Sequence, residues 1–208
     1  MLQHIKTIIV YIFFCVVTLV MINTVLQYTS FKTNVGFLQL KQAYIGIDIW
    51  MMAFYTHVFT SVFVLMAGFT QFSPYILKHH KTLHRNVGKF YVAAILLVNV
   101  PMGMIMAIYA NGLWPTKLAF AILDILWCWF TYKAYITAQQ KKFKAHQQFM
   151  IRSFALTFSA ITLRLWKITL SHTFHFDDLT LYMIDAWMGF VPNLLAAEWY
   201  IYYKLKRN

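Results

Sequence analysis

An all-α integral membrane bundle is the fold class this sequence predicts, and three observations predict it. Of 208 residues, 61% are hydrophobic and only 12% charged, against about 45–50% and about 25% in soluble domains. The apolar residues gather into runs of about 20, the length of helix that crosses a bilayer. The 18 Lys and Arg, against six Asp and Glu, sit almost wholly between and after those runs. This composition excludes an ordinary soluble enzyme, a disordered chain and a secreted disulfide scaffold. Cys15 and Cys128 both fall inside apolar runs, and neither has a CxxC partner. A net charge of +12 on a soluble protein would suggest nucleic acid. Here it is explained by basic loops that stay on one side of a membrane, and no nucleic-acid partner is expected.

Six spans are expected, at residues 7–27, 49–72, 89–110, 117–138, 147–170 and 180–203. Lys6 precedes the first, whose apolar run to Leu26 is too long for a signal-peptide core and lacks a small-residue cleavage site, so it reads as a retained helix. Residues 28–43, with Ser30, Lys32, Asn34, Gly36 and Lys41, break the pattern before the second span. SPYILKHHKTLHRNVG at 73–88 separates the second from the third, and NGLWPT at 111–116 is a tight turn into the fourth. QQKKFKAH at 139–146 leads into the fifth, and SHTFHFDDL at 171–179 into the sixth. Tyr and Trp cluster near span ends, as interfacial belts do. The chain reads as one domain, 1–208, with the first helix peripheral to a core at 49–203.

Basic residues set the orientation. Lys78, Lys81, Arg85, Lys89, Lys133, Lys141, Lys142, Lys144, Lys204, Lys206, Arg207 and Lys6 fall on one side, whereas Lys32, Lys41, Lys117 and Lys167 fall on the other with Asp48, Asp177 and Asp178. The positive-inside rule then places both termini in the cytoplasm, as an even number of spans also requires.

Ionisable groups inside a span are costly and face the bundle interior by default. They are His57 in the second span, Asp124 in the fourth, Arg152 and Arg164 in the fifth, and Asp185 and Glu198 in the sixth. Depth along the helices matches Arg164 with Asp185 towards the outer side, and Arg152 with Glu198 towards the inner side. Such pairs would at least fix helix register. In the fifth span His146, Met150, Ser153, Thr157, Ala160 and Arg164 recur at helical spacing and share one face. The small residues suit close helix packing, but packing does not explain the histidine and arginine at the two ends. In the third span His84, Gly88, Tyr91 and Ile95 share a face, and Gly88 leaves room above His84 for packing or for a flat ligand.

Five of the eight histidines, His4, His79, His80, His84 and His146, fall on the basic side. His84 and His146 open the third and fifth spans at similar depth, which suits the two axial ligands of a b-type haem. Arg85, Lys89 and Arg152 would then meet the propionates. Zinc or copper bound by His80, His84 and His146 is the alternative, an all-imidazole set. A third reading is a basic loop on anionic lipid headgroups with no cofactor. His172 and His175 with Asp177 and Asp178 form a smaller cluster on the other side, more consistent with a solvated loop. No P-loop, GxSxG, HExxH or Rossmann fingerprint is present.

HRNVGKFY at 84–91, HQQFMIRS at 146–153, TLRLW at 162–166 and VPNLLAAEW at 191–199, with a histidine in the second span, resemble a family of bacterial membrane proteins known as domain of unknown function 2306. The resemblance covers about residues 50–203. It implies a multi-helix protein of the bacterial inner membrane and no stated activity. It marks His57, His84, Arg85, Gly88, Tyr91, His146, Met150, Arg152, Arg164, Asn193 and Glu198. The architecture is also similar to six-helix transmembrane b-type cytochromes, which hold haem between their second and fourth and between their third and fifth helices. His84 and His146 match the latter pair. The former has no counterpart, because the fourth span carries Asp124 and Cys128 instead of histidine.

Three functions follow as expectations. The first is membrane redox chemistry at a haem on His84 and His146. The second is transport of a proton, metal ion or small anion, served by Arg164, Asp124 and Asp185, with Pro101 and Pro192 breaking the spans. The third is an assembly role beside another membrane protein.

Overall fold

Apolar runs without internal polar breaks fold as helix because a bilayer offers no other partner for backbone N–H and C=O groups. The computed structural model describes residues 2–206, and the side chains of 1–7, 10 and 206–208 lie outside what is described. The expectations on His4, Lys6, Lys206 and Arg207 therefore fall on residues whose side chains are not described. Ten α-helices follow in order: α1 Leu2–Leu26, α2 Asp48–Gln71, α3 Pro74–His79, α4 Lys81–Ala94, α5 Val100–Ile108, α6 Trp114–Gln139, α7 Phe143–Thr157, α8 Ser159–Thr173, α9 Asp178–Met188 and α10 Val191–Ile201. No strand occurs among the described residues.

Five helical segments are long and apolar enough to cross a membrane: Tyr11–Ser30, Asp48–Gln71, Lys81–Ile108, Trp114–Gln139 and Asp178–Leu205. The expected span at 147–170 is not among them. It is interrupted at Phe158 between α7 and α8, and it carries Arg152, Arg164 and a run of hydroxyl side chains. Two other segments are broken as well. A π-helical turn, Ile95–Asn99, joins α4 to α5 just before Pro101, and Gly189–Phe190 separates α9 from α10 just before Pro192. A proline lacks the N–H that the preceding turn needs, so neighbours must take up the freed carbonyls. Thr162 Oγ1 (2.5 Å) and Asn193 Nδ2 (3.2 Å) both donate to the Gly189 carbonyl.

The helices pack as antiparallel neighbours, α6 on α7, α2 on α4 and α5, α7 on α10, and α8 on α9, with α1 lying against α2. Val64, Tyr91, Ile95, Trp127, Met150, Leu156 and Phe190 belong to the central apolar cluster. Large apolar side chains face outward along the helices, among them Leu97, Ile125, Leu195 and Trp199. On a soluble protein such a belt would drive aggregation, whereas here it suits lipid. One end of the bundle, termed the loop end, carries residues 27–47 and the turn between α5 and α6. The opposite end carries the His84 and His146 termini and is termed the basic end.

Candidate functional site

At the loop end residues 27–47 fold inward over the helices. Two 3₁₀ turns, Gln27–Ser30 and Gly36–Lys41, place Tyr28 and Leu38 against Trp50 and Phe54 of α2. Phe37 N–H donates to Tyr28 Oη (3.0 Å). Gly36 has φ +50, and a Cβ there would stand 2.7 Å from Tyr28 Oη, so the turn requires glycine. Lys41 is 2% exposed. Its Nζ donates to the Tyr109 carbonyl and to Asn111 Oδ1, both at 2.8 Å, and lies over the rings of Phe37, Tyr44 and Tyr182. Burial, with the Lys117 ammonium adding to it, pulls the Lys41 pKa down to about 8.

Beneath this cover lies a cavity of about 410 Å³, walled by α1, α2, α5, α6, the end of α7, α8 and α9. Its polar lining includes His57, Asp124, Arg164, Lys167 and Tyr182. His57, Asp124 and Arg164 each lie about nine or ten residues from the loop end of their helices, a depth of roughly 14 Å at 1.5 Å per residue. Most of the remaining wall is apolar or aromatic, including Met21, Phe54, Phe120 and Trp127. His57 Nδ1 donates to the Asn99 carbonyl (3.1 Å) within the π-helical turn, and its Nε2 has no hydrogen-bond partner among the described residues. The Arg164 guanidinium donates to the Ala160 carbonyl one turn back.

The expected pairing of Arg164 with Asp185 does not form. Asp185 is buried, its Oδ1 has no hydrogen-bond partner, and no carboxylate lies within ion-pair distance of Arg164 among the described residues. The reason is lateral: α9 sets Asp185 outside the cavity wall that Arg164 enters. The other expected pair is present. Arg152 binds Glu198 through two hydrogen bonds, 2.5 and 2.8 Å, and lies over the rings of Phe130 and Phe149.

Between these regions the helical stripe of the fifth expected span closes into a buried chain of hydroxyls. Tyr91 Oη lies 2.9 Å from Ser153 Oγ and 2.8 Å from Thr157 Oγ1, and Ser153 Oγ lies 2.7 Å from Thr131 Oγ1. Trp127 Nε1 donates to Thr157 Oγ1 (3.0 Å). The chain ties α4, α6 and α7 together, and Thr157 and Trp127 also form part of the cavity wall.

At the basic end His146 Nδ1 donates to the Ala134 carbonyl (2.8 Å), and His84 Nδ1 is buried with no hydrogen-bond partner. Gly88 does not leave the open space expected above His84, since a Cβ there would stand 2.8 Å from Gln71 Oε1, which already occupies that position. Arg85 is exposed beside His84. His80 does not join the other two histidines. It ends α3 in an exposed position beside the Tyr75 ring, and no three His, Cys, Asp or Glu side chains converge among the described residues. His172, His175, Asp177 and Asp178 likewise do not bring three such side chains together among the described residues. Asp177 caps α9, and hydrogen bonds from Thr180 and then Leu179 hold its carboxyl below the usual carboxylate range. Asn193, marked by the family motif, braces two helix breaks by donating to the Ala155 carbonyl and to Thr162 Oγ1.

Sequence reasoning missed Lys41, Tyr182 and Gly103 as parts of the site. The loop position of Lys41 gave no sign of burial, and only the packed helices bring Gly103 to face Asp124. The family model described as predicted membrane protein (DUF2306) matches residues 54–201. No curated protein and no solved structure matches the chain.

Proposed function

We propose that this chain, which belongs to the DUF2306 family of predicted membrane proteins, is a carrier that binds a small, partly apolar organic anion in the loop-end cavity. One observation carries the reading. A cavity of about 410 Å³ is lined by Arg164 and His57, and no carboxylate among the described residues pairs with the arginine. An unpaired guanidinium at mid-membrane depth is costly, and an anionic ligand is the partner that would offset that cost. The volume falls within the usual range for small-molecule sites, and the largely aromatic and aliphatic wall suits a ligand with an apolar body. Helix breaks at Ile95–Asn99, Phe158 and Gly189–Phe190 support carriage over static binding, because interrupted helices are where carriers hold and release solutes.

The membrane arrangement belongs to the same reading. The chain makes six crossings, with α7 and α8 together forming the fifth despite their break. The basic residues gathered at one end place both termini on the cytoplasmic face of a bacterial inner membrane, so the cavity opens towards the outer side. Anionic headgroups face the basic end.

Benzenesulfonate is the direct test, with benzyl alcohol as its uncharged counterpart. In detergent, benzenesulfonate stabilises the protein against heat and benzyl alcohol does not, and Arg164→Gln abolishes the difference. Equal stabilisation by both compounds, or an unchanged response in Arg164→Gln, overturns the reading.

A second reading has its own observation. His84, whose buried Nδ1 has no hydrogen-bond partner, and His146, whose Nδ1 is held by the Ala134 carbonyl, are the two imidazoles that would hold a b-type haem. Arg85 and Arg152 would hold the propionates, and Gln71 would have to swing away from Gly88. Bound haem would supply one-electron chemistry. The test is an oxidised and dithionite-reduced spectrum after haem-supplemented expression. A Soret band lost in His84→Ala supports this reading, and colourless protein overturns it.

A further inference from the structure

The cavity holds one acid that anion binding does not use. Asp124, on α6, is 5% exposed and lines the wall, and neither of its carboxyl oxygens has a hydrogen-bond or ion-pair partner among the described residues. Gly103 of α5 faces it. A Cβ at that position would stand 2.6 Å from Oδ2 and 2.8 Å from Oδ1, so the carboxyl fits there only because the residue is glycine. The other charged or titratable groups of the wall are His57 from α2, Tyr28 and Lys41 from the loop cover, Arg164 and Lys167 from α8, and Tyr182 from α9. His57 turns Nδ1 to Asn99, Arg164 reaches Ala160, and Lys41 is committed to Tyr109 and Asn111. Asp185 of α9 is buried outside this lining. An acid and several bases therefore share one space without closing into an ion pair.

That arrangement has a consequence for charge. A carboxylate against an apolar wall is tolerated only while a cation or water answers it. With no anion bound, none of the cavity's cations stands within ion-pair distance of the carboxyl among the described residues. An anion docked on Arg164 adds a second negative charge to the space that Asp124 lines, which favours a proton on the carboxyl. By linkage, a protonated Asp124 in turn favours the anion. We infer that Asp124 is the proton-carrying group of this cavity, so that anion and proton are taken up and released together. The proton comes from the aqueous phase, resides on a carboxyl oxygen of Asp124 while the anion is bound, and returns to water when the anion leaves. This inference rests on the anion-binding reading.

Two measurements separate the two ideas. The first needs no anion. Infrared difference spectra of the purified protein between acidic and alkaline pH should show a carboxylic-acid C=O band that disappears in Asp124→Asn and persists in Asp185→Asn. A spectrum identical in wild type and Asp124→Asn overturns the inference. The second titrates benzenesulfonate into weakly buffered protein containing a pH indicator. Titrated at a pH where the infrared spectra show Asp124 ionised, wild type should take up a proton as the anion binds, and Asp124→Asn should bind the anion with no uptake. Anion binding without proton uptake in wild type, or with undiminished uptake in Asp124→Asn, overturns the coupling. Failure of benzenesulfonate to bind overturns the anion reading and this coupling together, and a titrating Asp124 band would then mark a proton site with no anion partner.

Discussion

Buried polarity is arranged differently in two regions of this bundle. In the seam between α4, α6, α7 and α10 polar side chains meet each other. Tyr91, Ser153, Thr157 and Thr131 form a closed hydroxyl chain, and Arg152 meets Glu198 through two hydrogen bonds. Around the loop-end cavity Arg164 and Asp124 have no side-chain partner among the described residues, and the space between the walls is about 410 Å³. Both regions cost desolvation. Only the seam recovers it within the protein, as folding requires of buried polar groups. Unrecovered cost at the edge of a cavity is what a ligand site looks like before its ligand arrives.

Arginine substitutions should therefore change stability with opposite sign in the two regions. Arg164→Met removes a charge that no carboxylate answers, and it should raise stability by about 1–3 kcal/mol. The same change should weaken benzenesulfonate binding by about 30-fold or more, since an unmade charge-assisted contact costs about 2 kcal/mol or more. Arg152→Met instead strands Glu198 and should lower stability. Thermal unfolding of both variants in one detergent reads the comparison directly. Two destabilised variants would mean that Arg164 has a structural partner and that the cavity is not a charge-deficient site.

The hydroxyl chain offers a smaller effect in the same frame. Tyr91→Phe keeps the ring and deletes one hydroxyl that bridges Ser153 and Thr157. Both neighbours retain other partners, Thr131 for Ser153 and Trp127 for Thr157. The loss should be about 1 kcal/mol, in line with interhelical hydrogen bonds in membranes. Benzenesulfonate affinity should not change. A large loss of affinity would show that the seam and the cavity work as one unit.

Lys41 tests the cover over the cavity through pH. Its pKa in the folded protein is about 8, below the ordinary lysine value of 10.5. Between those values the unfolded chain binds the extra proton, so the contribution of Lys41 makes stability rise as pH increases from about 8 to about 10.5. Lys41→Met should flatten that rise. An equal slope in the variant would assign it to another group.

The fold was legible wherever apolar length alone decides. The expected boundaries of the second, fourth and sixth spans agree with Asp48–Gln71, Trp114–Gln139 and Asp178–Leu205 to within a few residues. The fifth was harder to read because Arg152, Arg164 and its hydroxyl residues are polar enough to interrupt an apolar run, and those same residues build the seam and the cavity. For the site, depth counting placed Arg152 beside Glu198 correctly and Arg164 beside Asp185 incorrectly. Depth is a coordinate along the helix, and the sequence carries much less about which neighbour a given face meets. Asp124 opposite Gly103 depends on that second coordinate, as does Gln71 beside Gly88. Lys41 was unreadable for a related reason, since a loop lysine becomes buried only when Tyr109 and Asn111 are folded beside it.

The smallest expected effect comes from the partnered pair itself. Glu198→Gln keeps the size of the side chain and one hydrogen-bond acceptor for Arg152, while removing the charge. The Glu198 side chain is 46% exposed against 14% for Arg152, so water and headgroups screen much of the attraction. Arg152 also keeps the rings of Phe130 and Phe149. The cost should be about 0.5 kcal/mol and no more than about 1, the range of exposed ion pairs. It should shrink further at high salt, because partly exposed charges are screened. Unfolding of Glu198→Gln at low and high ionic strength checks both statements. A salt-independent loss of several kcal/mol would place this pair in a dry, low-dielectric setting. The seam would then depend on charge as strongly as the cavity does, and the two regions would no longer differ in kind.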